Sequence, residues 1–150
     1  MRVLLQRVSL ASVSREGKEI AAIKQGYLLF LCVMQGDSEE EAQWLAGKVS
    51  KLRLYPGQDG TVNMRSIVDV SGEALVLSQF TLAARTEKGN RPDYTKASPP
   101  DTAEKLYKIF IQALREAGIR SVKQGVFGAM MQVHLTNDGP VTLLLEKSPN

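Results

Sequence analysis

The sequence predicts a mixed α/β fold, with strands in two layers and two helices packed on one side of them, a three-layer α/β/β arrangement. The first observation is the order of patterns along the chain, in which stretches typical of strands surround two stretches with helical spacing. The second is a pair of short runs, 27–34 and 74–77, that are apolar on both faces, as covered strands are. The length of 150 residues is that of one domain, which we place over residues 1–150.

The chain begins with a predicted β-hairpin. Residues 3–8 alternate as in a strand, and Gly17 indicates a turn before a second strand over 20–23. The apolar run 27–34 follows and ends at the turn residues 35–37. We expect this run to be a central strand of the sheet, because neither of its faces is polar.

Two helices are predicted from apolar spacing and from their end signals. The first covers 38–54, because Ser38 and Glu41 form a capping-box pair at its start. The second begins at Asp101 and stops at Gly118. The apolar faces consist of Ala42, Leu45, Val49 and Leu52 in the first helix and of Ala103, Leu106, Phe110, Ala113, Leu114 and Ala117 in the second.

Turn chemistry accounts for much of the remaining chain. Pro-Gly and Asp-Gly pairs predict an exposed turn or short hairpin over 55–64, and prolines with Gly89 predict a long ordered loop over 86–100. Three further strands are predicted over 122–127, 131–135 and 141–145. We expect a turn at 137–140 to join the last two, since Asn-Asp-Gly-Pro is a strong turn sequence.

The composition argues against several classes of protein. Cys32 is the only cysteine, so no internal disulfide can form, and a reducing cytoplasm is the compartment that we expect. The longest apolar run has eight residues, against the roughly 20 of a membrane-spanning helix, and the N-terminus lacks the apolar stretch of a signal peptide. A net charge of +3 permits nucleic acid as a partner without requiring it.

The residues of several common catalytic systems are missing. The one histidine, His134, lies in a predicted strand, and Cys32 lies inside an apolar run, where the pKa of a thiol tends to rise. One cysteine and one histidine cannot supply the ligands of common zinc sites, and the acidic residues 39–41 are explained by helix capping and the helix dipole. No glycine-rich phosphate loop occurs. We therefore expect neither a metal nor a cofactor.

Two segments place several polar groups at the ends of predicted strands. They are Ser78-Gln79-Phe80-Thr81-Leu82 and Asn137-Asp138-Gly139-Pro140-Val141-Thr142. On the residues alone, the first can be a strand that turns outward and the second a simple turn.

These two segments resemble the paired signature motifs of the D-aminoacyl-tRNA deacylases, the enzymes that free transfer RNA from D-amino acids. The resemblance covers practically the whole chain. It includes Gln6-Arg7-Val8, Gly89 to Pro92, Ser98-Pro99, Phe127 and Met131-Gln132-Val133.

The resemblance implies hydrolysis of the ester bond of D-aminoacyl-tRNA and of mischarged glycyl-tRNA, with rejection of L-aminoacyl-tRNA. It also implies a homodimer in which Gly139-Pro140, joined by a cis peptide bond, projects from one subunit into the pocket of the other. Glycine lets the backbone approach a ligand closely, and the carbonyls of the pair obstruct an L side chain. Arg7 matches the arginine that helps to orient this wall.

The resemblance assigns roles around the first segment as well. Main-chain N–H groups near Phe80 and Thr81 bind the developing oxyanion, and Gln79 positions the substrate. No histidine or lysine near Thr81 in the sequence could activate its hydroxyl, so we expect Thr81 to position rather than to attack. The ribose 2′-hydroxyl of the substrate then assists catalysis. Further substrate-binding residues that the match implies are Ser78, Met131 and Asn137.

Two other functions fit parts of the sequence. The first is a non-catalytic module that binds transfer RNA through the basic residues of the long loop, which are Arg85, Lys88, Arg91 and Lys96. The second is a threonine-dependent esterase that acts on small free esters through Thr81. Turnover of aminoacyl-tRNA distinguishes the deacylase from both.

Overall fold

A mixed sheet of six strands forms the centre of the protein, whose computed structural model describes residues 1–150. The strands are β1 (Arg2–Arg15), β2 (Lys18–Ile23), β3 (Gly26–Cys32), β4 (Arg53–Tyr55), β5 (Arg65–Ser66), β6 (Glu73–Ser78), β7 (Ser121–Gln124) and β8 (Gln132–Glu146). The helices are α1 (Glu39–Lys51) and α2 (Pro100–Glu116), and a short 3-10 helix covers Phe80–Ala83. Strands β4 and β5 form a small second sheet of their own.

The long strand β1 organises the main sheet. Strand β8 pairs antiparallel with one edge of β1 from Arg2 to Ser14. On the other edge, β3 pairs with residues 2–8 of β1 and β2 pairs with residues 11–15, both antiparallel. The sheet then continues from β3 to β6 and β7 through parallel pairs. The mixed sheet that the sequence predicts is confirmed.

Two apolar clusters occupy the two faces of the sheet. The larger cluster packs the helices against one face, and alternate residues of β3 and β6, such as Leu29 and Val76, belong to it. The smaller cluster joins Leu28, Leu75 and Leu77 to the second half of β1 and to β2. The second half of β1 therefore lies over β3 and β6 as another strand layer. Successive side chains of a strand point to opposite faces of the sheet. The consecutive buried residues of β3 and β6 therefore show that both runs predicted to be covered strands are buried on both faces.

Helix α1 begins as predicted and ends earlier than predicted. The Glu40 N–H donates to Ser38 Oγ at 3.2 Å, and the Ser38 N–H donates to a Glu41 carboxylate oxygen at 2.7 Å, which completes a capping box. The helix ends at Lys51 rather than Leu54, because residues 53–55 leave it to pair with β5. Helix α2 begins at Pro100, within one residue of the prediction, and contacts α1.

The predicted turn between 131–135 and 141–145 is wrong. One continuous strand, β8, covers both stretches, because β1 is long enough to pair with each of them and the chain has no need to reverse. The turn sequence forms a bulge instead. Gln6 pairs with Thr142 and Val8 with Asn137, so the four residues 138–141 lie opposite the single residue Arg7. We call residues 137–141 the edge bulge.

Strand β7 is shorter than predicted, and the long loop agrees with the prediction. Strand β7 ends at Gln124 instead of Phe127. The loop over 86–99 contains no helix or strand, as predicted, although an isolated bridge joins Arg85 to Asp93 across it. Neither helix has the length and apolarity needed to cross a membrane.

Candidate active site

The first predicted site segment leaves the sheet at the end of β6. Ser78 is the last residue of β6 and pairs with Leu31, and the Gln79 N–H donates to the Leu31 carbonyl at 2.8 Å. The chain then forms the 3-10 helix, in which the Leu82 N–H donates to the Gln79 carbonyl at 3.2 Å. The first N–H groups of a helix have no acceptor inside it. The main-chain N–H groups of Phe80 and Thr81 are therefore available to a ligand. We call residues 78–83 the strand-end turn.

The side chains of the strand-end turn contain no base. The Gln79 amide donates a hydrogen bond to Thr81 Oγ1. An amide N–H cannot accept the proton of a hydroxyl, so this contact orients Thr81 without activating it. The Phe80 ring is 57% exposed and packs edge-on against Tyr94, with the ring centroids 5.2 Å apart.

Two contacts hold the strand-end turn on the body of the protein. Arg2 donates from Nη1 to the Leu82 carbonyl at 2.7 Å. The thiol of Cys32 lies 3.6 Å from the Phe80 carbonyl. Burial raises the pKa of Cys32, so the thiol stays neutral and acts as a small apolar group. The turn is thus attached through its own main-chain atoms to side chains at the ends of β1 and β3.

The second predicted site segment is the edge bulge. The Gly139–Pro140 peptide bond is cis, and Gly139 has φ +128°. A Cβ atom on Gly139 would lie 2.8 Å from Val141 Cγ2 and 3.1 Å from an Arg7 guanidinium nitrogen. A residue with a side chain rarely adopts this φ, and its Cβ would collide with these atoms. Glycine is therefore required at this position.

Arg7 and Asn137 hold the edge bulge in place. Arg7 Nε donates to the Asp138 carbonyl at 3.1 Å and lies 3.3 Å from a carboxylate oxygen of Asp138. The Asn137 amide donates to the carbonyls of Arg7 and Val141, each at 3.0 Å. These bonds close the base of the bulge. Residues 138–140 remain exposed to solvent.

The predicted site residues fall into two separate groups within one chain. Ser78, Gln79, Phe80 and Thr81 form the first, and Met131 lies close to it because its sulfur and Leu77 both flank Gly125. Arg7, Asn137, Gly139 and Pro140 form the second. The first is attached at Arg2 and the second at Arg7, five positions apart on β1, which is about 17 Å along a strand. No hydrogen bond or salt bridge joins the two groups directly.

Two hollows in the surface are lined by other segments of the chain. One hollow of about 450 Å³ lies between 19–22 and 122–124, and another of about 540 Å³ lies between 14–17 and 128–132. Neither includes the strand-end turn or the edge bulge.

The charged side chains near these two segments do not form a metal centre. Three or more His, Cys, Asp or Glu side chains do not come together anywhere in the chain. His134 lies exposed on β8, where it pairs with Ser12. The long loop is closed by Arg85, which bonds to Asp93. The Thr95 N–H, the Thr95 hydroxyl and Arg85 lower the pKa of Asp93 to about 2.

Two residues that hold Arg7 in place, Leu54 and Tyr55, were not predicted from the sequence. Arg7 donates from Nη1 to the Leu54 carbonyl and stacks over the Tyr55 ring, 5.5 Å from the ring centroid. Arg2 was missed as well. Leu54 and Tyr55 lie 47 or more positions from Arg7 in a segment that reads as a helix end and a turn, so no local pattern indicates the contact.

Comparison with known proteins identifies the class of this fold. The family model for D-Tyr-tRNA(Tyr) deacylase matches residues 4–146. A D-aminoacyl-tRNA deacylase from an Exiguobacterium species is 54% identical over 148 residues, which cover 99% of both chains. One from Thermotoga petrophila is 50% identical over 148 residues, covering 99% of this chain and 98% of its own. These relatives are deacylases, a class of hydrolases.

Two solved structures share the fold of this chain. The c-Myc DNA Unwinding Element Binding Protein superposes with a TM-score of 0.93 at 39% identity, covering 99% of this chain and 100% of its own. A probable eukaryotic D-amino acid tRNA deacylase has a TM-score of 0.81 at 15% identity, covering 96% and 97%, and so shares the fold. The chain belongs to the D-Tyr-tRNA(Tyr) deacylase family and is an enzyme of the hydrolase class.

Proposed function

We propose that this protein hydrolyses the ester bond of D-aminoacyl-tRNA, and of mischarged glycyl-tRNA, while sparing L-aminoacyl-tRNA. The observation that carries the proposal is the pair of site segments in a chain that is half identical to proteins named D-aminoacyl-tRNA deacylase. The strand-end turn offers main-chain donors suited to an ester oxyanion, and the edge bulge offers a wall without a side chain.

The strand-end turn supplies the chemistry in this proposal. Water attacks the ester carbonyl carbon, and the carbonyl oxygen, which gains negative charge, accepts from the N–H groups of Phe80 and Thr81. The bond to the ribose oxygen then breaks, that oxygen takes a proton, and the free amino acid leaves as a carboxylate. Removal of one such donor in other enzymes costs about 2.7 to 4 kcal/mol. Since Thr81 bonds only to an amide, we assign the proton transfer to the neighbouring ribose hydroxyl of the substrate.

Two copies of the chain complete the active site in this proposal. The strand-end turn is attached to β1 through Arg2 and the edge bulge through Arg7, five positions further along the strand, and no hydrogen bond or salt bridge joins the two segments. The edge strand β8 presents Leu144, which is 55% exposed, and β1 presents Leu10, which is 51% exposed. We propose a homodimer in which the edge bulge of one subunit faces the strand-end turn of the other.

The edge bulge supplies the selectivity. Gly139 and Pro140 carry only main-chain carbonyls and a ring toward solvent, and Arg7 and Asn137 fix their position. A fixed wall of this kind excludes an L side chain by collision, while a D side chain or the hydrogen of glycine points elsewhere. Ser78 and Met131 are proposed to line the substrate pocket. The exposed bases Lys88, Arg91 and Lys96 are proposed to meet phosphates of the transfer RNA.

The proposed setting is the cytoplasm, without metal or cofactor. Cys32 is buried and free, so the fold depends on no disulfide. The reaction needs only water and the substrate, because the donors are main-chain groups.

The first test compares D-tyrosyl-tRNA and L-tyrosyl-tRNA under the same conditions, with and without EDTA. We expect release of D-tyrosine, persistence of the L-ester and no effect of the chelator. Equal rates for both esters would overturn the proposed selectivity. Salt-dependent binding of transfer RNA without turnover would favour the RNA-binding module. Activity that EDTA abolishes and added metal restores would contradict the mechanism.

The second test addresses the shared active site. Mixed dimers of Gly139→Ala and Gln79→Ala subunits contain one wild-type pocket if the bulge crosses the interface, because the other pocket then carries both lesions. We expect each homodimer to be nearly inactive and the mixed dimer to regain up to about half of the wild-type activity. No recovery in verified mixed dimers would place the bulge in the pocket of its own subunit.

A further inference from the structure

A buried pair of tyrosine rings lies beneath Arg7. The Tyr55 and Tyr27 rings stack with their centroids 5.7 Å apart and their planes within 10° of parallel. Tyr27 is fully buried and Tyr55 is 2% exposed. The Arg7 guanidinium lies over the Tyr55 ring, 5.5 Å from its centroid, and Arg7 pairs with Tyr27 between β1 and β3. The three groups thus lie next to one another between the core and the edge bulge, and we call the two rings the tyrosine platform.

The guanidinium is fixed on two further sides. Nη1 donates to the carbonyl of Leu54, the residue before Tyr55, and Nε donates to the carbonyl of Asp138. A guanidinium offers its donors in a rigid plane, so bonds to both carbonyls set its orientation as well as its position. Strand β4 therefore supplies both the ring and the acceptor that hold Arg7 against the bulge.

The two rings remain neutral. Burial raises the pKa of both Tyr27 and Tyr55 above the ordinary value of a phenol. Neither hydroxyl has a hydrogen-bond partner in the chain, and a buried hydroxyl without a partner is unfavourable. The hydroxyls therefore contribute nothing to the stack that a phenylalanine would lack. The useful parts of both side chains are the ring faces.

We infer that Tyr55, supported by Tyr27, is a positioning residue that sets the selectivity of the enzyme by holding Arg7 and, through it, the edge bulge. This inference rests on the proposed function. The rejection of L-substrates depends on a wall that does not move, and Arg7 is the side chain that links the wall to the core. Without the ring, Arg7 regains rotational freedom, and the bulge can yield to an L side chain.

The test measures the ratio of L- to D-tyrosyl-tRNA hydrolysis in Tyr55→Leu, Tyr55→Phe and wild-type protein. We expect Tyr55→Leu to raise this ratio about tenfold, the size of a lost cation–π contact. Tyr55→Phe keeps the ring face, so we expect this variant to have the wild-type ratio. Tyr107→Leu is the matched control, because Tyr107 is equally buried in the same core cluster but bonds to the Val76 carbonyl, away from Arg7.

A spectroscopic measurement separates positioning from loss of stability. The Arg7 Nε–H signal in a ¹⁵N spectrum senses the ring current of Tyr55. We expect it to shift in Tyr55→Leu and to stay in place in Tyr107→Leu. If Tyr55→Leu does not fold, the same signal in Tyr27→Leu, where the supporting ring is removed, gives the answer.

Specific outcomes overturn the inference. An unchanged ratio in folded Tyr55→Leu contradicts it, as does an equal change in Tyr107→Leu. Combination with Arg7→Lys provides a further check, since two residues that act through one contact have non-additive effects on the ratio. Additive effects count against the inference. Absence of D-ester hydrolysis in the wild-type protein is a different result, because it refutes the proposed function itself.

Discussion

The strand-end turn and the edge bulge are held in place by different kinds of interaction. The turn continues directly from the covered strand β6, and its anchors meet main-chain atoms: the Gln79 N–H bonds to the Leu31 carbonyl of β3, and Arg2 of β1 bonds to the Leu82 carbonyl. The bulge lies on the edge strand β8, and the side chains of Arg7 and Asn137 hold it from outside the strand. One region depends on the core and the other on a few polar side chains.

This difference predicts which substitutions each region tolerates. Main-chain donors survive substitution of the side chains around them, so the turn should tolerate loss of a side chain that only orients a neighbour, such as that of Thr81. Gln79, which is proposed to position the substrate, is the exception. The edge bulge is held by the side chains of Arg7 and Asn137, and each of them makes more than one hydrogen bond. Substitution of either side chain therefore removes several hydrogen bonds at once. Substitutions in the bulge should therefore disturb the reaction more than loss of the Thr81 hydroxyl in the turn.

The largest effect is expected for Gly139→Ala. The new methyl group would lie 2.8 Å from Val141 Cγ2, on a backbone with φ +128°, so the bulge has to move. Strain of this kind costs on the order of 1 to 3 kcal/mol, and displacement of the wall adds to it. We expect D-tyrosyl-tRNA turnover to fall about a hundredfold, as measured by release of D-tyrosine.

A second glycine provides the control for Gly139→Ala. Gly17, in the turn between β1 and β2, also has a positive φ, but no atom lies within 4 Å of a Cβ built there. Gly17→Ala therefore carries backbone strain without a collision and without contact to the bulge. Turnover in Gly17→Ala should stay within about twofold of wild type. Similar losses in both variants would show that general destabilisation, and not the wall, explains the result.

Local patterns in the sequence predict the elements but not the way in which they meet. The capping box at Ser38, the apolar face of α2 and the covered strands β3 and β6 all depend on residues close in sequence. The continuity of β8 depends on β1, more than 100 positions away, which pairs with both halves of it. A sequence that favours a turn therefore forms a bulge when a long partner strand is present.

The candidate site shows the same limit. The residues of both segments are recognisable in the sequence through their motifs, yet their separation along β1 follows only from the register of the sheet. The support of Arg7 by Leu54 and Tyr55 is a contact between a strand and the segment after a helix. Neither side of this contact has a pattern of its own, because an arginine in a strand and a tyrosine before Pro-Gly are ordinary in other settings.

A smaller effect is expected for Thr81→Ala in the strand-end turn. The hydroxyl bonds to the Gln79 amide and has no base beside it, while the main-chain donors of Phe80 and Thr81 remain after the change. We expect D-tyrosyl-tRNA turnover to fall by less than about fivefold, which is the size of one lost neutral hydrogen bond. Single-turnover kinetics measure this directly. A trapped acyl ester on Thr81 would contradict the prediction and support the threonine-dependent esterase.

The smallest effect concerns the long loop, which belongs to neither region. The Thr95 N–H, then the Thr95 hydroxyl and Arg85, lower the pKa of Asp93 from 3.8 to about 2. Because the folded-state pKa is lowered, the contribution of Asp93 is present above about pH 4 and is lost as the pH falls through about 2. Between pH 5 and 8 this carboxylate therefore does not titrate. An NMR titration of the Asp93 carboxyl should have its midpoint near 2, and a midpoint near 3.8 would show that the loop is open in solution.

We expect Asp93→Asn to speed tryptic cleavage at Lys88 and Arg91 about twofold, with D-tyrosyl-tRNA turnover nearly unchanged, since exposed ion pairs are weak.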